Sequence, residues 1–219
     1  MKRILIKIFI CIGIIIAVSF IYLMLTFNHF SSISKGKPIP EYKTERSALL
    51  VIDIQEGTTG SASISEGLIH QSSSFIQSVN RVIQKANSLQ MPIAYVYHEN
   101  THWLLNLISR GVLAKGSPGT AIDKRITVIT NNIFSKIKMD SFSNPNLDAF
   151  LRNHEINHLY ITGLDAAYCV DRTSRASLKR GYHVTVIRDA VISETESKRK
   201  EMFQKYKGYG IRLISFKNL

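Results

Sequence analysis

Cys169 is the residue whose type and position most directly suggest chemistry. It follows an apolar stretch and a glycine at position 163, and the pattern after it predicts a helix that begins near Cys169. A thiol at a helix N-terminus ionises readily and the free N–H groups there bind oxyanions, so this position is typical of a nucleophile. Cys11, the other cysteine, lies in the hydrophobic N-terminus and offers no disulfide partner within one chain. A small buried apolar side chain is the alternative interpretation of an isolated cysteine.

An acid and two lysines could act together with this cysteine. Asp53 ends the apolar run 47–53, and because a carboxylate buried there alone is costly, it needs a partner or a chemical role. Lys136 and Lys138 follow the third expected strand, and either lysine alone would be taken as a surface residue. Together, an acid, a lysine and a cysteine at three strand ends indicate a thiol nucleophile with its base and a cation.

The elements that must position these residues alternate between strands and helices. Apolar runs predict strands over 47–53, 92–98, 126–130, 156–162, 183–189 and 211–215. Helical spacing of apolar residues predicts helices over 68–89, 147–153, 169–180 and 195–206. The alternation predicts an α/β fold, a three-layer, mostly parallel six-stranded sheet with helices on both faces and a Rossmann-like arrangement. Sites in such sheets lie beyond the carboxyl ends of the strands, where Asp53 and Cys169 fall.

An N-terminal segment precedes this domain. Residues 8–27 carry no charge, and a helix of that length spans about 30 Å, enough for one bilayer crossing. A cleavable signal peptide has a shorter apolar region, about 7–15 residues, followed by small residues at a cut site that is not obvious here. We therefore expect a transmembrane anchor over 1–28, a linker over 29–45 and one domain over 46–219.

Basic residues near the anchor bear on its orientation. Lys2, Arg3 and Lys7 precede the apolar run and favour a cytoplasmic N-terminus. Further basic residues between 35 and 46 follow the run and weaken the asymmetry. We expect a single-pass membrane protein whose domain lies outside the cytoplasm.

The formal net charge of +12 does not by itself predict nucleic-acid binding. The densest basic run, 198–200, is typical of a solvated helix face, so no nucleic-acid partner is expected. Attraction to anionic lipid headgroups would suit a tethered domain. No phosphate-binding glycine loop follows the first strand, so the sequence gives no support for nucleotide binding.

Four segments, in order, resemble one family. They are the run 48–55, the motif Lys136-x-x-x-Asp-Ser-Phe142, the stretch 162–170 and the stretch 180–190. These segments are similar to those of the isochorismatase-like cysteine hydrolases, which include nicotinamidases and N-carbamoylsarcosine amidohydrolases. The resemblance covers roughly residues 46–216 and implies the isochorismatase-like form of the fold predicted above.

The resemblance implies a catalytic triad of Asp53, Lys136 and Cys169. Lys136 is preferred to Lys138 because the family lysine stands six residues before its phenylalanine, which is Phe142 here. Asp53 would take the thiol proton, Lys136 would hold Asp53 and stabilise the thiolate, and Cys169 would attack a carbonyl carbon. The resulting thioester would then be cleaved by water.

The resemblance also implies an oxyanion hole. The peptide between Leu164 and Asp165 would be cis, and the backbone N–H groups of Asp165 and Cys169 would bind the oxyanion. Removing one such donor typically lowers the rate by about 10²–10³-fold. Many relatives have a threonine at the position of Ala166, so a hydrogen bond near the nucleophile would be missing in this chain.

The chain departs from the metal-binding members of the family. Nicotinamidases hold a metal with an Asp-x-His pair and a further histidine soon after the first strand. Residues 55–68 contain no histidine, and His70 has no nearby partner. We expect neither a metal nor any other cofactor.

Four residues are candidates for the substrate pocket: Gln55, which follows the first strand, His98 at the end of the second, Trp103 beyond it, and Tyr168 beside the nucleophile. Each has a structural alternative, such as capping a strand end or filling the sheet–helix interface. Residues 99–122 would form much of the pocket, and they do not identify a ligand.

The sequence thus favours a membrane-anchored cysteine hydrolase that cleaves the C–N bond of an amide or carbamoyl group in a small molecule. Two alternatives stay open. The domain could be a catalytically inactive, membrane-tethered interaction domain of the same fold, or Cys169 could be a redox-sensing thiol. The expected partners are the small-molecule substrate and the membrane, and the resemblance adds a homo-oligomer.

Overall fold

The computed structural model describes residues 2–219 of the chain. Its helices are α1 (Lys2–Ser31), α2 (Glu66–Ser88), α3 (Trp103–Ile108), α4 (Pro145–Asn153), α5 (Cys169–Lys179) and α6 (Glu196–Gly208). Its strands are β1 (Ser47–Ile52), β2 (Ile93–His98), β3 (Ile133–Lys136), β4 (His158–Gly163), β5 (His183–Val191) and β6 (Arg212–Ile214).

The six strands form one parallel sheet in the order β3-β2-β1-β4-β5-β6. Successive side chains of a strand point to opposite faces, and in β1 both sets are buried. Leu50 packs in the core that α4, α5 and α6 cover, whereas Leu49 packs in the core that α2 covers. The three-layer, isochorismatase-like α/β fold predicted from the alternation of elements is confirmed. The strand order reverses between β1 and β4, where open α/β sheets form their sites.

The third strand was predicted over 126–130, and this prediction is wrong. The run forms a loop over β2 and α2 because its backbone is bonded outside the sheet: Tyr95 Oη donates to the Thr127 carbonyl and Asn80 Oδ1 accepts from the Thr127 N–H. The edge strand β3 begins seven residues later and pairs His98 with Lys136. Lys136 is therefore the last residue of a strand, directly beside the end of β2.

Among the described residues, α1 is the one helix long and apolar enough to cross a membrane, over Arg3–Ser31. Its length and composition fit either a membrane span or a signal sequence. At its domain end the Phe30 carbonyl accepts from the Met139 N–H at 3.1 Å, and the Ser31 carbonyl accepts from Arg172 Nε at 2.9 Å. The end of α1 is thus bonded to the domain.

The segment after α1 is also bound to the domain, and Arg180 is its main anchor. The Arg180 guanidinium is buried, lies 4.3 Å from the centre of the Phe142 ring, and donates to the carbonyls of Ser34 and Lys35. A Cβ at Gly36 would overlap that guanidinium, so any larger residue there would require the Arg180 side chain to move. The stretch predicted as a linker is therefore held against the domain, which fixes the direction in which α1 leaves it.

Candidate active site

Asp53, Lys136 and Cys169 meet at the carboxyl edge of the sheet. Lys136 Nζ lies 2.9 Å from Asp53 Oδ2 and 3.2 Å from Cys169 Sγ. The Lys136 side chain is fully buried and that of Asp53 nearly so. Lys136 Nζ also donates to the carbonyl of Lys138 at 3.0 Å, whereas the ammonium of Lys138 itself lies 3.3 Å from Ser32 Oγ.

Local backbone geometry aims these side chains. Asp53 adopts a left-handed conformation with φ of 57°, which turns the chain sharply at the end of β1. Its N–H donates to the Val96 carbonyl, and its own carbonyl accepts from Thr58 Oγ1, each at 2.8 Å. On the neighbouring strand a Cβ at Gly163 would overlap the Ile52 carbonyl, so glycine is required where β4 passes β1.

The charges around Cys169 keep it a thiol before substrate binds. Burial and the negative charge of Asp53 raise the pKa of the Cys169 thiol, and the positive charge of Lys136 only partly opposes this. Burial alone would lower the pKa of Lys136, but the Asp53 carboxylate opposes this and holds the pKa above its ordinary value, so this lysine is charged. The site thus holds a thiol beside a carboxylate, whereas the sequence suggested a thiolate ionised by its helix.

The loop between β4 and α5 presents two free backbone donors. The Leu164–Asp165 peptide is cis, as the resemblance implied. The N–H groups of Tyr168 and Val170 both donate to the Asp165 carbonyl, but those of Asp165 and Cys169 have no acceptor within residues 2–219. The Asp165 carboxylate accepts from the Ala167 N–H and from Ser193 Oγ, each at 2.6 Å. These bonds hold the loop in place around the two free donors.

A cavity of about 480 Å³ opens above Cys169. Of the pocket residues predicted from sequence, Gln55, His98 and Tyr168 line it. The Gln55 amide is committed to the backbone, because it donates to the carbonyls of His98 and Thr120 and accepts from the His98 N–H. Residues 99–122, which the sequence analysis expected to form much of the pocket, contribute Asn100, Leu105, Ile108, Ser109 and Leu113. Sequence reasoning missed the other wall residues: Phe27, Phe30, Thr58, Leu68, Met139, Leu164 and Glu194.

Comparison with known proteins agrees with this fold. A family model described as the isochorismatase domain matches residues 47–217, which is most of the chain. The chain belongs to the isochorismatase family. The family resemblance predicted from the four sequence segments is therefore confirmed.

Individual relatives of this isochorismatase-family chain are distant. An uncharacterised isochorismatase family protein, YrdC of Bacillus subtilis, is 24% identical over 148 residues, which is 67% of this chain and 73% of that protein. An isochorismatase family protein from Desulfovibrio vulgaris has a TM-score of 0.69 at 19% identity, covering 80% of this chain and 96% of the other. N-carbamoylsarcosine amidase from Thermoplasma acidophilum has a TM-score of 0.63 at 24% identity, covering 78% and 96%. At identities this low, the structural matches show that the fold is shared and show nothing further.

Trp103 does not line the cavity of this isochorismatase domain, so its assignment to the pocket is corrected. It lies at the first turn of α3 and its side chain is 62% exposed. The cavity face of that helix is formed by Leu105 and Ile108, three residues apart, which turns Trp103 and Leu107 outward. The short helix α3 was not predicted, so the sequence gave no basis for separating the two faces.

His98 lies in the cavity wall as a neutral imidazole. Its Nε2 is 2.6 Å from Asn100 Oδ1, which accepts, so the proton is assigned to Nε2 and Nδ1 keeps a lone pair. That Nδ1 is buried and has no partner within the described residues. Burial, followed by the charge of Lys136, lowers the pKa of His98 to about 4.

This buried histidine predicts a loss of stability in acid. Unfolded His98 titrates near 6.5 and folded His98 near 4, so the unfolded state binds more protons between these values. The contribution of His98 is complete above pH 6.5 and is lost as pH falls through 4, by about 3 kcal/mol in total. In chemical unfolding of the full chain in detergent, His98→Asn should flatten the decline between pH 6.5 and 4. The control His70→Asn, at an exposed histidine, should leave that decline unchanged. Parallel curves of unfolding free energy against pH for wild type and His98→Asn would contradict the assignment of a buried neutral imidazole.

Metal binding has no support among the described residues. Within residues 2–219 no group of three His, Cys, Asp or Glu side chains lies close enough to hold a metal ion. The carboxylates in the cavity wall have protein partners: Asp53 contacts Lys136, Asp165 accepts from Ser193, and Glu194 accepts from Ser65 Oγ at 2.6 Å. That this protein uses no metal remains a prediction.

Proposed function

We propose that this protein is a membrane-anchored cysteine hydrolase that cleaves the C–N bond of an amide or carbamoyl group. One observation carries the proposal: a buried lysine ammonium lies within hydrogen-bond distance of both a carboxylate and a thiol at the base of a cavity. A buried ion pair is costly to maintain, and its position beside a thiol and free backbone donors favours catalysis over packing.

In the first step Cys169 becomes the nucleophile as it attacks. Asp53 accepts the thiol proton while the sulfur bonds to the substrate carbonyl carbon, and Lys136 stays beside both groups as charge moves between them. The substrate carbonyl oxygen gains negative charge, which the N–H groups of Asp165 and Cys169 can stabilise. The raised pKa of the Cys169 thiol fits this order, in which proton transfer accompanies attack.

The second step releases the amine, and the third releases the acid. Asp53 returns the proton to the leaving nitrogen as the C–N bond breaks, which leaves a thioester on Cys169. Asp53 then takes a proton from water, whose oxygen attacks the thioester carbon. The carboxylic acid or carbamate leaves, and the proton returns to Cys169. Asp53 is thus base, acid and base again within one turnover.

The family and one relative support the type of bond. The chain belongs to the isochorismatase family, and a protein of the same fold is an N-carbamoylsarcosine amidase. The anchor is supported by α1, whose apolar side chains are exposed along its length. The extracytoplasmic location of the domain rests on the basic residues before α1, and self-association rests on the family resemblance alone.

The experiment that tests the proposal compares the two cysteines. Purified full-length protein should release amine or ammonia from members of a panel of primary amides and carbamoyl compounds. Cys169→Ala should lower that release by at least about 10³-fold, because the thioester cannot form. Cys11→Ala is the matched control and should retain turnover. Trapping with the best substrate should add the acyl mass to the Cys169 peptide alone.

Two outcomes would contradict the proposal. Turnover that survives Cys169→Ala would remove the thioester mechanism. No turnover on any panel member, together with reversible oxidation of Cys169 that does not depend on Asp53, would favour the redox-sensing thiol instead.

A further inference from the structure

The wall of the cavity is shared between the catalytic domain and the N-terminal helix. Phe27 and Phe30, at the domain end of α1, line the same cavity as Cys169. Phe30 packs edge-on against His98 with ring centres 5.2 Å apart. The helix that would span the bilayer therefore forms part of the active-site wall, and the cavity lies next to the point where the chain would enter the membrane.

The short helix α3 lies alongside α1, on the membrane side of the point where the chain would enter the bilayer. Tyr22 Oη is 3.3 Å from Nε2 of His102, the residue that caps α3. Tyr22 precedes Phe27 by five residues, which at a rise of 1.5 Å per residue is about 7–8 Å along the helix axis. With α1 in a bilayer, the start of α3 would lie at the depth where interfacial helices bury their apolar faces, about 5–10 Å.

The exposed face of α3 is apolar, as expected of a helix at that depth in a bilayer. Trp103, Leu107 and Ile108 are each more than 60% exposed, so the domain itself does not cover them. Ile108 also lines the cavity, which places this exposed apolar face at the cavity mouth. Arg110 follows α3 and is exposed, where a long basic side chain can reach lipid phosphates. Tryptophan is itself enriched at membrane interfaces.

The inside of the cavity indicates the chemistry of its ligand. Most of the wall residues away from Cys169 are aliphatic or aromatic, including Leu105, Leu113 and Met139. The wall contains no lysine or arginine among the described residues, but it does contain the carboxylates of Asp53, Asp165 and Glu194. An anionic ligand would be repelled, and a neutral ligand with a long apolar part would be bound.

The position of Asp53 decides which side of the amide carries that apolar part. The leaving nitrogen must take its proton from Asp53, whose side chain is only 5% exposed. Asp53 Oδ1 has no partner within the described residues and is the oxygen available for this transfer. Because so little of Asp53 is accessible, a small amine is the group that fits beside it, and a long chain would lie on the acyl side toward the exposed Ile108.

We propose that the substrate is a neutral amide of a hydrocarbon-chain acyl group with a small amine, and that it enters the cavity from the membrane surface between α1 and α3. This inference rests on the proposed function, including the membrane anchor. The acyl C–N bond breaks, the Cys169 S–C bond forms, and the thiol proton leaves with the amine. Water then supplies the hydroxyl of the product, a fatty acid, and the proton that returns to Cys169.

The first test needs no turnover, because Trp103 is the only tryptophan in the chain. Full-length protein is reconstituted into phosphatidylcholine vesicles that contain lipids brominated either near the headgroup end or near the tail end of the acyl chains. We expect a blue-shifted Trp103 emission that the shallow bromines quench at least twofold more strongly than the deep ones. Emission typical of water and no quenching by either lipid would overturn the placement of α3.

The second test measures chain preference. Release of ammonia from decanamide and from acetamide is followed with the vesicle-bound protein, and we expect kcat/KM for decanamide to be on the order of 10²–10³-fold higher. Phe27→Ala should lower this ratio at least fivefold, because it removes part of the wall that contacts the chain. Phe20→Ala, the same change two turns away and outside the cavity wall, should leave the ratio within about twofold.

The outcomes separate this inference from the proposed function. Turnover of acetamide that equals or exceeds turnover of decanamide would overturn the inference and leave the amide hydrolase standing. A decanamide preference that Phe27→Ala does not change would also overturn it, since the chain would then bind elsewhere. Failure to hydrolyse either amide, or any member of the wider panel, would overturn both.

Discussion

Lys136→Met is expected to lower amide turnover by at least about 10³-fold and to reduce the free energy of unfolding by about 3–5 kcal/mol. The substitution keeps the length of the side chain but removes the ammonium that contacts Asp53 and Cys169. The Asp53 carboxylate would then be buried without its partner, and this unpaired buried charge accounts for most of the lost free energy of unfolding. Turnover falls because no cation remains beside the carboxylate and sulfur as charge moves between them.

Lys138→Met is the matched control for this prediction. Among residues 2–219 the Lys138 ammonium has one hydrogen-bond partner, Ser32 Oγ at 3.3 Å, and the atom of Lys138 that the site uses is its backbone carbonyl. The control should keep turnover within about threefold and stability within about 0.5 kcal/mol of wild type. A larger loss of turnover at Lys138 than at Lys136 would contradict the assignment of the lysine.

A double variant separates loss of chemistry from loss of folding. Combining Lys136→Met with Asp53→Asn removes both charges, so no uncompensated ion remains buried. We expect the double variant to recover at least half of the stability lost by Lys136→Met alone and to remain inactive. Chemical unfolding and turnover of the same detergent-solubilised preparations provide both readouts. Recovered turnover in the double variant would show that the ion pair is structural.

The positions of Asp53 and Cys169 follow from the sequence because strand ends in a parallel sheet meet at one edge. Both residues come after apolar runs long enough to define strands, and those strands became β1 and β4 at the centre of the sheet. Lys136 could be chosen only through the family spacing, because the strand that carries it was misplaced. A four-residue edge strand with an exposed Ile133 has a weak pattern, and the more apolar run 126–130 was taken in its place.

The N-terminal part of the cavity wall could not be predicted for a different reason. Phe27 ends the run that hydropathy assigns to a membrane and Phe30 lies in the stretch predicted as a linker, and nothing local indicates that their rings reach the domain. The contact depends on tertiary anchors, chiefly the buried Arg180 that binds the backbone of Ser34 and Lys35. A short helix such as α3 gives too few residues for a periodic pattern to show which of its side chains face inward.

The ionisation state of Cys169 also could not be predicted from the sequence. A cysteine at a helix N-terminus suggests a lowered pKa, but the structure brings the Asp53 carboxylate to the same lysine that contacts the sulfur. Burial and that carboxylate raise the pKa of the thiol. In the proposed mechanism the helix start therefore contributes backbone donors for the substrate oxygen, and Asp53 accepts the proton of the thiol.

Asp53→Asn is accordingly expected to have opposite effects on thiol reactivity and on catalysis. Removing the carboxylate leaves Lys136, among the described residues, as the one charged group that acts on Cys169, so the pKa of the thiol should fall. A nearby charge of this kind shifts a pKa by about 1–3. Alkylation by iodoacetamide at pH 7.5 should therefore be about tenfold faster or more. Amide turnover should drop by about 10²–10⁴-fold, because no group remains to carry the proton to the leaving nitrogen.

Thiol alkylation and amide turnover together test the role of Asp53. The Lys136→Met variant is expected to change alkylation in the opposite direction from Asp53→Asn. In Lys136→Met the thiol pKa should rise, since only burial and Asp53 then act on it, and alkylation should be slower than in wild type at every pH below 9. If Asp53→Asn slowed alkylation instead, the carboxylate would be ionising the thiol before substrate binds. The protein would then hold a preformed thiolate, and proton transfer would precede attack on the amide.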